Sequence, residues 1–164
     1  MKLSRALAVI AILVFAGIAI YHTQKKTPQK GEFKSADELM QFMAGEAVKK
    51  AEKENQTKLD YSVQSIEKVE TILSKLHEQY MKDKDSIAVN DLSMAYGAYI
   101  GEVIKRSEPG VRWGIDHPVA GDKSYPLYWK GGESFPWGWC FKRIMNGPED
   151  NVWHKYLLVK QQRS

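Results

Sequence analysis

Few residues in this chain could do covalent or acid–base chemistry, and they are scattered. The single cysteine, Cys140, sits in "WGWCFKR". A thiol becomes a nucleophile when a histidine takes its proton and a third group orients that histidine. His117 and His154 are available for this, but their spacing fixes no geometry with Cys140. A structural cysteine packed among apolar side chains is the better reading. In "GIDHP", residues 114–118, Asp116 and His117 adjoin as a potential acid–base pair. Asp-His-Pro is equally ordinary turn chemistry. The four histidines, His22, His77, His117 and His154, show no metal-ligand spacing, so no metal is expected. The sequence lacks a P-loop, a G-x-S-x-G elbow and a dinucleotide fingerprint, so no cofactor is expected either.

Glu102 is the other candidate. It lies in "MAYGAYIGEVIKR", residues 94–106, beside Gly97 and Gly101. Each glycine inside a helix costs about 1 kcal/mol relative to alanine. Small residues four apart let another segment approach closely, and the partner expected here is helix 62–82 or a β-hairpin. Glu102 reads either as an edge carboxylate paired with Lys105 or Arg106, or as a buried carboxylate near Trp113. A lone carboxylate is weak grounds for acid–base catalysis, which needs a partner of contrasting pKa. All five tryptophans, at 113, 129, 137, 139 and 153, fall in the last third of the chain. Most are expected in the core, where large rings supply apolar area. In "SFPWGW", Pro136 and Gly138 imply a loop with an exposed aromatic, suited to a protein interface, a sugar ring or a membrane interface. Glu102, Trp113, Trp137 and Trp139 are therefore the expected partner-binding residues.

Three helices are expected to precede this aromatic region. "SADE" fits a capping box that opens a helix from Ser35 to about Glu54. A second helix is predicted over 62–82, capped by Asp60 or Ser62, with Ile66, Val69, Leu73, Leu76 and Tyr80 on one face. A third starts near Asn90 or Asp91 and stops at Pro109–Gly110. "VRWGID" and "YPLYWK" are strand candidates joined by a turn at "GDKS". "CFKRIMNGPED" predicts a short helix closed by Asn146–Gly147, and "DNVWHKYLLVKQ" a last one. The expected fold is α+β: three antiparallel helices, a small hairpin and short C-terminal helices forming one domain over 35–164.

Before it stand a linker, residues 23–34, and an uncharged apolar run from Ala6 to Tyr21 preceded by Lys2 and Arg5. Sixteen helical residues span about 24 Å, short of the roughly 30 Å hydrocarbon core. Flanking Arg5 and Lys25 can snorkel to extend that reach. An uncleaved signal anchor in residues 1–22 is favoured over a cleaved signal peptide. Basic residues flank the run on both sides, but long C-terminal domains translocate largely regardless of charge. The expected location is thus the bacterial inner membrane, single-pass, with the domain in the periplasm; release to the periplasm after cleavage is the alternative.

The net charge of +4 comes without a dense basic stripe interleaved with aromatics, so no nucleic-acid partner is expected. "LDYSVQSIEKVETIL", "AYGAYIGEVIKR", "VRW" and "FKRIMNGPEDNVWHKYL", spanning about residues 59–159, resemble a bacterial family of uncharacterised small domains. The shared features are an L-D-x-S helix start, a G-x-Y-x-G-E helix, a following tryptophan and a K-R-x-x-N-G turn. Such domains resemble immunity proteins, which implies an inhibitor with a protein partner, a cognate toxin, and carries over no catalytic residue. The apolar N-terminal run departs from the soluble form of that family and would suit neutralising a toxin outside the cytoplasm. The leading expectation is a membrane-anchored, non-catalytic binding protein. The alternatives are an envelope enzyme using Asp116, His117 or Cys140, and a cell-wall-associated binding protein.

Overall fold

The computed structural model describes residues 33–162, and the expected anchor at 6–21 lies outside them. Among the described residues no helix is long and apolar enough to cross a membrane. From Phe33 onward the chain forms one compact unit. It contains helices α1 (Ala36–Asn55), α2 (Ser65–Lys82) and α3 (Val89–Ser107), then strands β1 (Arg112–Trp113), β2 (Leu127–Trp129) and β3 (Gly132–Ser134). Helix α4 (Pro136–Asn146), a 3-10 turn (Pro148–Asp150) and α5 (Val152–Gln162) complete it. The arrangement is α+β.

Helix α1 opens as the S-x-x-E signature demands, with one shift. Ser35 Oγ accepts from the Glu38 amide at 3.2 Å, but the Glu38 carboxylate reaches past Ser35 and accepts from the Lys34 amide at 2.7 Å. The caps expected for α2 do other work. Asp60 accepts from both the amide and the hydroxyl of Ser62, closing a turn ahead of a helix that starts only at Ser65. That turn is held to α3 by Tyr99, whose hydroxyl accepts from the Tyr61 amide at 2.8 Å and shares a hydrogen bond with Ser65 Oγ at 2.6 Å. Likewise α3 begins at Val89, so Asn90 is not its cap.

Helix α3 is the centre of the molecule. Twelve consecutive or near-consecutive residues from Leu92 to Ile104 are buried, because α1 packs on one side and α4 on the other. Lys105, near the end of α3, pairs with Asp37 at the start of α1, so these two helices run antiparallel. Helix α2 packs chiefly against α4 and α5 rather than completing a three-helix layer with α3.

The sheet is antiparallel in the order β1-β2-β3, with Trp113 opposite Leu127 and Tyr128 opposite Glu133. The third strand, absent from the expected hairpin, follows from the two-residue turn Lys130–Gly131. Both residues have positive φ, 47° and 73°, the conformation whose twist matches paired strands. The longer β1–β2 connection reverses at His117–Gly121 and then makes the expected turn at "GDKS", where the Ser124 amide donates to the Gly121 carbonyl at 3.4 Å.

After α4, the 3-10 turn is fixed by Asp150, which pairs with Lys155 and accepts from the Asn146 amide group at 2.7 Å. Desolvation pushes its carboxyl up, but the bonds from Lys155 and Asn146 outweigh this and leave it below the usual 3.8. A carboxyl depressed by folding adds stability that is complete above its unfolded value and disappears as pH falls through the folded one. Urea midpoints of Asp150→Asn should therefore fall below those of the parent at pH 7 and converge with them below about pH 4.

Candidate functional site

The two glycines of α3 explain how the aromatic end of the chain is assembled. A Cβ on Gly101 would sit 2.0 Å from the Trp113 ring, so this position exists to admit that indole. A Cβ on Gly97 would sit 2.5 Å from both the amide nitrogen and the Cα of Trp137. Gly97 therefore lets the backbone at the start of α4 press directly on α3. Helix 62–82, one of the expected partners of this patch, takes no part in either contact.

"SFPWGW" is not a loop. Pro136 is the first residue of α4, where its fixed φ fits and its missing N–H is not needed. Trp137 and Phe141 are then four apart and share a face of α4. Together with Phe135, Tyr125, Ser124, Asn90 and Gly138 they line a concave pocket of about 300 Å³. The pocket joins three elements: the first turn of α3, the return arm of the hairpin and the outer face of α4. The Tyr125 and Trp137 rings lie 6.4 Å apart at 38°. The Tyr125 hydroxyl is raised above its usual value, first by burial and then by the nearby Asp116 carboxylate.

Of the four expected contact residues, Trp137 lines this pocket. Trp139 is half-buried against the core. Glu102 and Trp113 are interior, 3% and 6% exposed, which removes both from the domain surface. They face each other: Trp113 Nε1 donates to Glu102 Oε1 at 3.0 Å. The expected edge pairing of Glu102 with Lys105 or Arg106 is thus corrected, since Lys105 binds Asp37 and Arg106 stacks on Tyr61 at 3.5 Å. Trp113→Phe would leave the buried carboxylate without this donor. It should cost about 1–3 kcal/mol, whereas Glu102→Gln, which keeps an acceptor, should cost less; urea titration of both variants checks this.

The residues considered for catalysis are committed elsewhere. Cys140 is fully buried, and its thiol is pushed up by desolvation and by the Glu70 carboxylate, which disfavours the reactive thiolate. His117 Nδ1 accepts from the amides of Val119 and Ala120 at 3.2 and 3.1 Å, which leaves Nε2 to donate to Glu133 at 2.9 Å. Its ring makes an edge-to-face contact with that of Phe135, a residue of the pocket lining. Asp116 Oδ1 accepts from the Lys123 amide at 2.6 Å. His77 Nδ1 donates to the Ile144 carbonyl at 2.8 Å and His154 is exposed. No group of three or more metal-ligating side chains occurs among the described residues.

The signal for the pocket was present in the sequence as Trp137 and Phe141 astride Gly138, a helical spacing hidden by the proline before it. Asn90 carried no such signal, having the look of a cap. In comparisons with known protein families, curated proteins and solved structures, the chain matches none.

Proposed function

We propose that this chain is a non-catalytic binding protein held in a bacterial inner membrane by residues 6–21, with its domain in the periplasm. The most concrete form of this reading is an immunity-type inhibitor that engages a secreted toxin. The observation that carries it is the aromatic pocket, built where three elements meet and open to solvent at Trp137. Rigid aromatic side chains set in a concave surface are what protein interfaces use as anchors. The tied-up states of Asp116, His117 and Cys140 weigh against the enzyme alternative.

The charge distribution supports a partner met at the domain rather than a polyanion. Five of the 24 basic residues and one of the 20 acidic ones precede Phe33, and Arg163 follows the last described residue. The described domain thus carries 18 basic against 19 acidic side chains, and the basic excess belongs to the N-terminal segment.

The test is purification of the tagged full-length protein from detergent-solubilised membranes of its host, with mass spectrometry of co-eluting chains and of its own N-terminus. A stoichiometric protein partner lost on Trp137→Ala, with the apolar run retained, is the expected result. An N-terminus near Ile20 and no partner would overturn the tethered-inhibitor reading. Capture of cell-wall glycan through Trp137 would replace it with the wall-binding alternative.

A further inference from the structure

The geometry points to the aromatic pocket as a receptor for an organic cation, the side chain of one arginine or lysine presented by a protein partner. This rests on the binding-protein reading above and adds the chemistry of the contact. Every large apolar surface in the pocket is a ring face or edge: Tyr125, Phe135, Trp137 and Phe141 line it, and no leucine, isoleucine, valine or methionine does. A pocket meant for an aliphatic anchor gains nothing from that exclusivity. A cation does, because the faces of aromatic rings carry the negative lobe of a quadrupole, and tryptophan is the strongest of them.

No lining residue carries a charge of either sign, so no fixed cation opposes one bound against the rings. The Asp116 carboxylate acts on the hydroxyl of Tyr125, at the hairpin wall. Asp116 stands just behind the lining: its amide donates to the carbonyl of Ser124, a lining residue, at 3.0 Å, and its Oδ1 accepts from the Lys123 amide. Asn90 and Tyr125 both line the pocket, and the Asn90 side chain and the Tyr125 hydroxyl have no hydrogen bond among the described residues, so each oxygen is free to accept one. The one positive charge in this arm of the hairpin, Lys123, is exposed. A volume of about 300 Å³ suits one side-chain head group and is at the bottom of the range for whole small-molecule ligands.

The pocket lies at the opposite end of α3 from the point where the described chain begins. The chain enters the domain beside Asp37, which pairs with Lys105 at the far end of α3 from Asn90. Those two ends of α3 are about 22 Å apart along the helix axis.

The experiment titrates the full-length protein in uncharged detergent with N-acetylarginine methylamide and with tetramethylammonium, following the Trp137 indole ¹⁵N–¹H resonance. tert-Butanol serves as the neutral isostere and N-acetylglucosamine as the sugar control. Saturable shifts with both cations, weakened by salt, are expected. Phe141→Leu keeps apolar volume but removes a ring, and should weaken cation binding about tenfold, the size of one cation–π contact. Asp116→Asn keeps an acceptor for the Lys123 amide and should also weaken it, without altering the response to tert-butanol. Equal binding of tert-butanol, preferential binding of the sugar, or no saturable shift would overturn the inference. A partner that co-purifies but is not displaced by arginine amide would overturn it while leaving the binding-protein reading standing. Cation binding with no protein partner would overturn the binding-protein reading and reduce the pocket to a receptor for a free organic cation.

Discussion

Glu70→Ala should cost about 3–5 kcal/mol, the loss expected when a buried charge, here that of Arg143, is stranded by removal of its partner. Glu70 joins three elements with one carboxylate. Oε1 accepts from Arg143 Nε on α4 at 2.7 Å, and Oε2 accepts from the Val152 amide at the start of α5 at 2.9 Å. The Arg143 side chain is only 3% exposed, and among the described residues its Nη1 already has no hydrogen-bond partner. Without Glu70 the guanidinium would sit in the interior uncompensated, and α5 would lose the acceptor for its first amide. Total stabilities of small domains are about 5–15 kcal/mol, so this single change removes a large share. Glu70→Gln, which preserves the acceptor but not the charge, should fall between parent and alanine. The pair Glu70→Leu with Arg143→Met removes both charges together and should recover most of the loss. Urea unfolding followed by tryptophan fluorescence distinguishes these cases; equal losses in the single and the paired variants would mean that the charge pairing is not what matters at this site.

Gly97→Ala and Gly45→Ala should act in opposite directions, although both place a methyl group on a glycine inside a helix. At Gly97 the new carbon meets backbone atoms of Trp137 at 2.5 Å, and backbone cannot rotate away. Helix α4 must move off α3, at a net cost of about 3 kcal/mol, the upper end for overpacking. At Gly45 nothing lies within 4 Å. There the substitution gains the difference in helix propensity, about 1 kcal/mol. The displacement of α4 would also carry Trp137 and Phe141 away from Tyr125, so Gly97→Ala should alter the indole resonance of Trp137 as well as the unfolding midpoint. A neutral or stabilising Gly97→Ala would show that the α3–α4 approach is looser than the structure has it.

Much of this architecture was legible from local pattern. The S-x-x-E start of α1, the three-and-four spacing in α2 and the Pro109–Gly110 stop after α3 are interactions among residues a few positions apart, and they appear within a few residues of their expected places. The glycines of α3 announced a close approach, because their helical cost needs a compensating contact. What they approached was not legible: Gly97 and Trp137 are 40 positions apart, Gly101 and Trp113 only 12. The nearer partner, in the hairpin, was within reach of expectation, and the farther one was not.

The sequence by itself determined the helices, an aromatic C-terminal third and an apolar run ahead of the domain, since each is written in composition or short-range periodicity. Tertiary structure decided which polar groups were interior and which aromatics faced out. Glu102 had the composition of a surface residue among lysine and arginine neighbours, yet packing of α1 and α4 on both sides of α3 drew it inside against Trp113. Glu70 and Arg143, 73 positions apart, became a part-buried pair only because α2 lies on α4. Trp137 was left at the surface because its backbone, not its ring, fills the space over Gly97. Burial is a property of the neighbours a side chain meets after folding, and distant neighbours leave no mark in local spacing.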